Sequence, residues 1–295
     1  MSDVPHELRE RLAADFTFPT LTPTVVARSS DGTRKLLFEL DERAAIEAVI
    51  IPDPPRLTLC ISSQAGCGMG CVFCATARLG LLRNLSATEI AGQVLAAQGQ
   101  LLPEERISNI VFMGMGEPLA NYDAVVQAIE LLTADWGIGL SARRITVSTV
   151  GVVPAMERLV HDTTVNLAVS LTATTDEQRA RLMPINRRYP LATLMAMCRS
   201  LPVPQRRRIT FEYVMLKGVN DSPDDAARLA HLLRGIRSKV NVIPFNPFPD
   251  AGFECADAAT IERFRARLVL GGINATTRRS RGRDIQAACG QLALV

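Results

Sequence analysis

Residues 57–74 read LTLCISSQAGCGMGCVFC, an apolar run typical of a buried β-strand followed by a loop with three cysteines. Cys67 precedes Cys71 by four residues, and Cys71 precedes Cys74 by three. Three thiolates at these spacings suit three corners of a cubane 4Fe–4S cluster. The loop holds no fourth cysteine, so one iron would stay open to a small-molecule ligand. The stretch therefore predicts an iron–sulfur centre directly after a strand.

A zinc site is the alternative for these cysteines, completed by Cys198, Cys255 or His161. Zinc sites usually combine two CxxC-like pairs, whereas this chain has one triplet and no second half. The seven cysteines are an odd number, and residues 1–15 carry mixed charges without the apolar core of a secretory signal. These features argue against a disulfide framework. The pattern favours the cluster over zinc.

The composition is that of a folded globular protein. Of the 295 residues, 47% are hydrophobic, and we find no apolar run near the ~20 residues that a membrane span needs. We therefore expect a cytoplasmic monomer with no membrane partner. The net charge is only +3, but arginines cluster at 143–144, 187–188, 206–208 and 278–283. Arginine binds phosphate in a planar bidentate way, which makes nucleic acid a candidate partner.

Strand-like and helix-like segments alternate from Leu57 onward. The β-rich runs cover residues 57–62, 107–112, 144–149, 165–171, 208–215 and 240–245. The helical stretches cover about 86–102, 121–134, 152–160, 175–182, 190–200, 222–235 and 257–270. Alternation of this kind, with strands apolar on both faces, predicts an α/β fold with a parallel sheet, and six units suffice for a partial barrel. The chemistry of such folds gathers at the carboxyl ends of the strands.

The first 56 residues predict a short extension of this barrel. Residues 1–20 have the pattern of a short helix and a loop, and the β-rich runs 25–28 and 35–40 flank a turn at Asp31-Gly32. Asp-Gly between two such runs is typical of a β-hairpin. We therefore divide the chain into an N-terminal helix and hairpin, residues 1–56, and a barrel domain, residues 57–295.

Several other predicted strands also end in small or polar residues. The loop after the second strand reads MGMGEPL, residues 113–119, where glycines permit close approach of the backbone and Glu117 supplies a hydrogen-bond acceptor. Ser148, Ser170 and Asn246 follow the third, fourth and sixth strands. At one rim of a sheet, these residues would form the wall of a polar ligand site.

Five segments together resemble one family, the radical SAM adenosine methyltransferases of the RlmN/Cfr type, which act on 23S rRNA and, in RlmN, also on tRNA. They are CISSQAGC (60–67), GMGEPL (114–119), FEYVMLKGVND (211–221), IPFNPF (243–248) and RGRDIQAACGQL (281–292). The resemblance covers about residues 45–292. It implies a partial (β/α)6 radical SAM barrel with one 4Fe–4S cluster and two molecules of S-adenosylmethionine (SAM) per turnover. It further implies an RNA substrate and an electron donor such as flavodoxin or ferredoxin.

The resemblance assigns roles to single residues. Adenine ring carbons are too electron-poor to attack the methyl group of SAM, so the family forms a methyl-cysteine first and converts it to a radical. Cys289 matches the cysteine that carries the methyl group, and Cys60 matches the second cysteine, which releases the product through a transient disulfide. Glu47 matches the proton acceptor. The SAM contacts implied by the family are Gly116, Glu117, Ser148, Ser170, Leu171, Thr172 and Asn246.

The chain departs from the family pattern at two points. Thr172 stands where the family usually has histidine, and about twenty residues precede the hairpin where most relatives carry a longer region with a small RNA-binding domain. We therefore expect the arginines of 278–283 to supply more of the phosphate contacts. Methylation at adenine C2 is the main hypothesis. The alternatives are a C8-specific methyltransferase that confers antibiotic resistance and a non-catalytic iron–sulfur protein that binds RNA or carries electrons.

Overall fold

The computed structural model describes residues 4–16, 21–41 and 44–294. Within these ranges the strands are β1 (Val25–Arg28), β2 (Arg34–Glu39), β3 (Ala45–Asp53), β4 (Arg56–Cys60), β5 (Gln64–Gly66), β6 (Leu81–Asn84), β7 (Asn109–Phe112), β8 (Ile145–Thr149), β9 (Asn166–Ser170), β10 (Ile209–Met215), β11 (Ser238–Pro244) and β12 (Asn274–Thr277). The α-helices in the same ranges are α1 (His6–Asp15), α2 (Ala75–Arg78), α3 (Ala87–Gln98), α4 (Tyr122–Thr133), α5 (Val153–Asp162), α6 (Asp176–Leu182), α7 (Leu191–Ser200), α8 (Pro223–Leu232) and α9 (Ala258–Leu270).

A ten-stranded sheet with the order β1-β2-β3-β4-β7-β8-β9-β10-β11-β12 forms the centre of the protein. From β4 to β12 every neighbouring pair is parallel. Residues of β4, β7, β8, β10, β11 and β12 line one common cavity, so the parallel part of the sheet curves into an open barrel. The predicted α/β fold with a central parallel sheet is confirmed.

All six predicted strands of the barrel are present, and β12 adds a seventh that the sequence did not predict. Only Ala275 of its four residues is buried, so β12 lacks the apolar run by which the other strands were found. Its pairing with β11, with Ala275 opposite Val240, holds it at the edge of the sheet. This edge strand leads directly into the segment that carries Cys289.

The predicted hairpin is also confirmed, since β1 and β2 pair in antiparallel fashion. In the turn, Gly32 has a φ of +85° and the amide of Thr33 donates to the Asp31 carboxylate at 2.9 Å. The third strand, β3, pairs with both β2 and β4 in antiparallel fashion, which makes the hairpin an extension of the barrel sheet. The division of the chain at residue 56 stays a prediction.

The helices of the barrel lie where the sequence predicts them, and their first turns explain why they begin there. Ser86 and Ser222 each form a capping box, with Glu89 and Asp225 respectively, and the Asp257 side chain accepts a hydrogen bond from the amide of Thr260. The buried side chains of these helices and of the strands form one large hydrophobic core. Among the described residues, no helix combines the length and the hydropathy needed to cross a bilayer.

The last residues of the chain fold back over the carboxyl ends of the parallel strands. The Gln291 side chain donates to the carbonyl of Pro247 at 2.7 Å, in the loop after β11. The hydroxyl of Thr76 on α2 donates to the carbonyl of Leu292 at 2.6 Å. These contacts hold Cys289 between the cysteine-rich loop and the barrel interior.

Candidate active site at the carboxyl ends of the parallel strands

The three cysteines of the loop after β4 are held by close backbone contacts. The amide of Cys67 donates to the carbonyl of Gly80 at 2.7 Å, and the amide of Cys74 donates to the carbonyl of Cys71 at 3.2 Å. Gly66 has a φ of +75°, and a Cβ atom at this position would lie 1.9 Å from the Gly80 oxygen. Only glycine therefore allows the strands β5 and β6 to approach as they do beside Cys67.

Burial dominates the electrostatics of these thiols. It raises the pKa of Cys67 to about 11, and it raises the pKa of Cys71 and of Cys74 above the usual value. The neighbouring thiols Cys74 and Cys67 raise the pKa of Cys71 further, which indicates that the three lie close together. Thiolates in such a place need a positive partner, and iron ions supply one. The three residues therefore fit an iron–sulfur cluster.

The arrangement does not resemble a zinc site. In the part of the chain that the structure describes, no three Cys, His, Asp or Glu side chains converge on a single point. Cys198 is buried in the large core on α7, and the thiol of Cys255 donates to the carbonyl of Ala256 at 3.3 Å. A cubane binds its thiolates through different irons, so its ligands need not converge on one ion.

A small cavity of about 150 Å³ lies beside the cysteine loop. It collects residues from the ends of five parallel strands and from the C-terminal segment. Of the residues predicted from the sequence, those that line it are Cys74, Gly116, Glu117, Ser148, Ser170, Asn246 and Cys289. The structure thus brings five of the seven predicted SAM contacts to one cavity, next to one cysteine of the loop.

Glu117 is one of the charged groups that line this cavity, with Glu212 and Arg278, and it is almost fully buried. Its two carboxylate oxygens accept hydrogen bonds from the amides of Leu119 at 3.0 Å and Val150 at 2.8 Å. Burial nevertheless raises the pKa of Glu117 to about 7, although these amides lower it. No salt bridge within the described ranges involves Glu117. A buried carboxylate without a cation suits a ligand that carries an ammonium group.

Leu171 and Thr172, the other two predicted SAM contacts, do not line this cavity. Leu171 is fully buried in the large core, and its amide donates to the carbonyl of Glu212 at 2.9 Å. Thr172 has a φ of +55°, which is unusual for a β-branched residue, and its buried hydroxyl has no hydrogen-bond partner. The carbonyl of Thr172 accepts from the Asn220 side chain at 2.6 Å, which holds the backbone in this conformation.

A larger cavity of about 700 Å³ adjoins the first one and shares Glu212, Arg278 and Cys289 with it. Cys60 and Cys289 both line it, as do five basic side chains: Arg56, Lys239, Arg278, Arg279 and Arg281. Its acidic side chains are Asp53 and Glu212, and Asp53 forms salt bridges with Arg56 and Arg281. The excess of positive charge suits a ligand with phosphate groups.

Cys60 and Cys289 are close enough to influence each other. Both are free thiols. Burial raises the pKa of Cys60 to about 12, and the charge of Cys289 adds to this effect. Burial also raises the pKa of Cys289, whereas the Arg278 guanidinium lowers the pKa of both thiols. Arg278 is thus the group that favours a thiolate at this site.

Glu47 does not line either cavity. Its side chain is buried, one carboxylate oxygen lies 2.8 Å from the ammonium of Lys35, and the other accepts from the amide of Leu294 at 3.1 Å. In the register of β3 and β4, Val49 lies opposite Cys60. Alternate residues of a strand share a face, so Glu47 lies on the same face as Cys60, behind the C-terminal segment.

Three polar residues of the site go beyond what the sequence predicts. Arg278 was expected only as one of the phosphate contacts of residues 278–283, yet it lines both cavities. Arg179 is fully buried, and its guanidinium donates to the carbonyls of Val150 at 2.7 Å and Ser170 at 3.2 Å, which ties together the ends of β8 and β9. Glu212 also lines both cavities. A lone glutamate in the apolar strand ITFEYVM, residues 209–215, was the signal that could have revealed it.

Comparisons with known proteins agree with this geometry. The family model of the Radical SAM superfamily matches residues 61–230. The chain is 52% identical over 299 aligned positions to the "Dual-specificity RNA methyltransferase RlmN" of Anaeromyxobacter dehalogenans, covering 99% of this chain and 80% of that protein. It is 53% identical to the protein of the same name from Geobacter sulfurreducens, with the same coverage. The crystal structure of a radical SAM methyltransferase from Sphaerobacter thermophilus superposes with a TM-score of 0.95 at 46% identity, covering 100% of this chain and 87% of that one.

Proposed function

Because the chain belongs to the radical SAM superfamily and, within it, to the RlmN family of RNA methyltransferases, we propose that it methylates C2 of an adenine in 23S rRNA and in tRNA. The enzyme uses a 4Fe–4S cluster and S-adenosylmethionine. The observation that carries the proposal is the position of Cys60 and Cys289, which face one basic cavity beside the cysteine loop.

The residues around the small cavity have the chemistry that these two groups require. Cys67, Cys71 and Cys74 are proposed to hold the cluster, which supplies the electron for radical formation. Glu117 is proposed to accept hydrogen bonds from the amino group of SAM, because it is a buried carboxylate that no cation of the described chain neutralises. Ser148, Ser170 and Asn246 would supply further polar contacts. Leu171 and Thr172 would contribute indirectly, by shaping the end of β9.

Cys289 is proposed to carry the methyl group. Its thiolate attacks the methyl carbon of SAM by displacement and becomes a methyl thioether. Arg278 lowers the pKa of Cys289 and thereby favours the thiolate. With the cluster and SAM bound, the radical chemistry that they supply would remove one hydrogen atom from the S-methyl group of Cys289, and the carbon would then bond to the adenine. Once the adduct has lost one electron to the cluster and the ring proton to a base, the Cys60 thiolate would attack the sulfur of Cys289. The carbon–sulfur bond would break with its electron pair on carbon, and a proton would complete the methyl group of the released RNA. The two cysteines are then a disulfide, which an external thiol must reduce before the next turnover.

Glu47 is proposed to accept the ring proton before release. Its support is that it lies on the same sheet face as Cys60 and contacts the C-terminal segment at Leu294. The ion pair with Lys35 holds the carboxylate in place. To reach the adenine, Glu47 must give up its hydrogen bond to the Leu294 amide, so this role requires the last residues of the chain to move.

The basic wall of the large cavity is proposed to hold the RNA backbone. Arg56, Arg279 and Arg281 line it together with Lys239, and guanidinium groups bind phosphate oxygens without regard to sequence. A base buried in a duplex or stacked loop must leave the stack to reach Cys289. A cavity of about 700 Å³ has room for a flipped nucleotide.

An electron donor such as flavodoxin or ferredoxin is proposed to bind at the hairpin of β5 and β6. Leu81 and Leu82 on this hairpin are 48% and 61% exposed, and they lie next to the backbone contact of Cys67 with Gly80. Exposed apolar side chains beside a redox centre suit a protein partner. We also propose that the protein is a monomer and that it is located in the cytoplasm.

The experiment that tests the proposed function compares RNA from cells with and without the gene. Mass spectrometry of nucleosides from purified 23S rRNA and tRNA separates 2-methyladenosine from 8-methyladenosine. The proposal expects 2-methyladenosine in both RNAs to disappear with the gene and to return with the wild-type chain, but not with Cys289→Ala. Loss of 8-methyladenosine instead, or no change in either nucleoside, would contradict it.

A further inference from the structure

Glu212 is a buried carboxylate with one oxygen unused. It lies in the middle of β10 and lines both cavities. Its Oε1 accepts a hydrogen bond from the Asn241 side chain at 2.9 Å. Its Oε2 is buried and has no hydrogen-bond partner among the described residues. No cation of that part of the chain lies within salt-bridge distance of Glu212, although the charge of Arg278 acts on it from farther away.

The surroundings fix the direction of this carboxylate. The hydroxyl of Thr276 donates to Oδ1 of Asn241 at 3.0 Å, so the Asn241 amide nitrogen is turned toward Glu212. Thr276 lies on β12, Asn241 on β11 and Glu212 on β10. The hydrogen bonds thus run across three neighbouring strands and end at Glu212, whose Oε2 atom accepts none. A buried carboxylate oxygen without a hydrogen-bond partner lowers the stability of the fold. Such an oxygen is expected where a bound ligand donates the missing hydrogen bond.

We propose that Glu212 Oε2 accepts a hydrogen bond from the exocyclic 6-amino group of the target adenine and so selects adenine over guanine. This inference rests on the proposed function, because it names the group that recognises the base in the same cavity. Adenine carries a donor at position 6, whereas guanine carries a carbonyl oxygen there, which a carboxylate repels. Arg278 lowers the pKa of Glu212, which burial raises, and so favours the ionised form that accepts the bond.

The position of Glu212 also agrees with the chemistry at Cys289. Both residues border the same two cavities, and the charge of Glu212 raises the pKa of Cys289. A base held by its amino group near Glu212 can therefore turn a ring carbon toward Cys289. The bond would act in positioning as well as in recognition, since the carbon that reacts must lie close to the thioether.

The test compares two RNA substrates in the cluster-loaded enzyme. One is an RNA that the wild-type enzyme methylates. The other has purine riboside, which lacks the 6-amino group, in place of the target adenosine. We expect the wild-type enzyme to prefer adenosine in kcat/KM by roughly 10–100-fold, the effect of one hydrogen bond to a charged group. We expect Glu212→Leu, which has a similar volume and no acceptor, to lose most of this preference.

Methylation of Cys289 by SAM in the absence of RNA is the control readout, because it does not involve the base. It should still occur in Glu212→Leu and should not fall, because loss of the Glu212 charge removes one of the causes that raise the pKa of Cys289. If the leucine variant does not fold, Glu212→Gln is used instead, and its neutral amide should lower the preference to an intermediate value. A wild-type enzyme with no preference for adenosine overturns the inference, and so does a folded variant that keeps the full preference. Failure of the wild-type enzyme to methylate any RNA would instead refute the proposed function.

Discussion

Cys60, at the end of the first parallel strand, and Cys289, in the segment after the last, face one cavity, and the charge of Cys289 raises the pKa of Cys60. Both thiols are free, and Arg278 lowers the pKa of each. A buried thiol and a partly buried thiol in this relation are suited to exchange between a thioether, a thiolate and a disulfide. A cluster alone would not require either of them, so this pair separates the proposed methyltransferase from an iron–sulfur electron carrier.

The substitution Cys60→Ala should stop the reaction before release. Without the second thiol, the bond between Cys289 and the RNA cannot be broken, so we expect a covalent protein–RNA adduct to accumulate on denaturing gels. Cys198→Ala is the matched control, since Cys198 is buried in the core away from both cavities and should form no adduct. Normal release of methylated RNA by Cys60→Ala would show that Cys60 is not the releasing thiol.

The affinity for SAM should depend on pH through Glu117. Burial raises the pKa of this carboxyl to about 7, and only its ionised form attracts an ammonium group. Binding to the cluster-loaded enzyme should therefore strengthen as the pH rises from 6 to 8, as measured by calorimetry. Glu117→Gln should bind SAM roughly 10–100-fold more weakly and should lose this pH dependence. A variant that keeps the wild-type affinity would exclude the contact.

Gly66→Ala should break the hairpin beside the cysteine loop. The added Cβ would lie 1.9 Å from the Gly80 oxygen, and the residue would keep a left-handed φ of +75°. We expect loss of bound iron and a fall in the free energy of unfolding of at least about 1–2 kcal/mol. Gly68→Ala is the control in the same loop, because its nearest contact would be at 3.5 Å. Equal iron content in the two variants would contradict this explanation.

The buried pair of Lys35 and Glu47 should be costly to break. Lys35→Met leaves the Glu47 carboxylate buried without its cation, so the free energy of unfolding should fall by about 3–5 kcal/mol in urea titrations. The double variant Lys35→Met/Glu47→Gln should recover part of this loss. Lys217→Met, at an exposed pair with Glu254, should cause no measurable change. If Lys35→Met proved as stable as Lys217→Met, the Lys35 ammonium would not stabilise the buried carboxylate of Glu47.

The sequence predicted the parallel strands and the loops after them well, because apolar runs and glycine-rich turns are local signals. It missed β12, whose residues are mostly exposed and which only its pairing with β11 defines. The family motif also predicts SAM contacts for Leu171 and Thr172. Neither residue lines the small cavity, since Leu171 packs in the core and Thr172 has a positive φ, and their contact with SAM stays a prediction.

Long-range contacts account for the rest of what the sequence could not predict. The sequence does not predict the burial of Glu47, which contacts Lys35 and the C-terminal segment, far from it in the chain. The sequence did not predict that Arg278 and Glu212 line both cavities, for the same reason. Their role follows from the curvature of the sheet, which brings β10 and the segment after β12 to one cavity.

The central claim is that Cys289 carries the methyl group, and peptide mass spectrometry tests it most directly. The purified, cluster-loaded enzyme is incubated with SAM that carries an isotope label in its methyl group, and the peptides are sequenced by fragmentation. We predict the labelled methyl group on Cys289 of the wild-type chain, its absence in Cys289→Ala, and its presence in Cys198→Ala. An RNA product formed by Cys289→Ala, or a label on a different residue, would contradict the account.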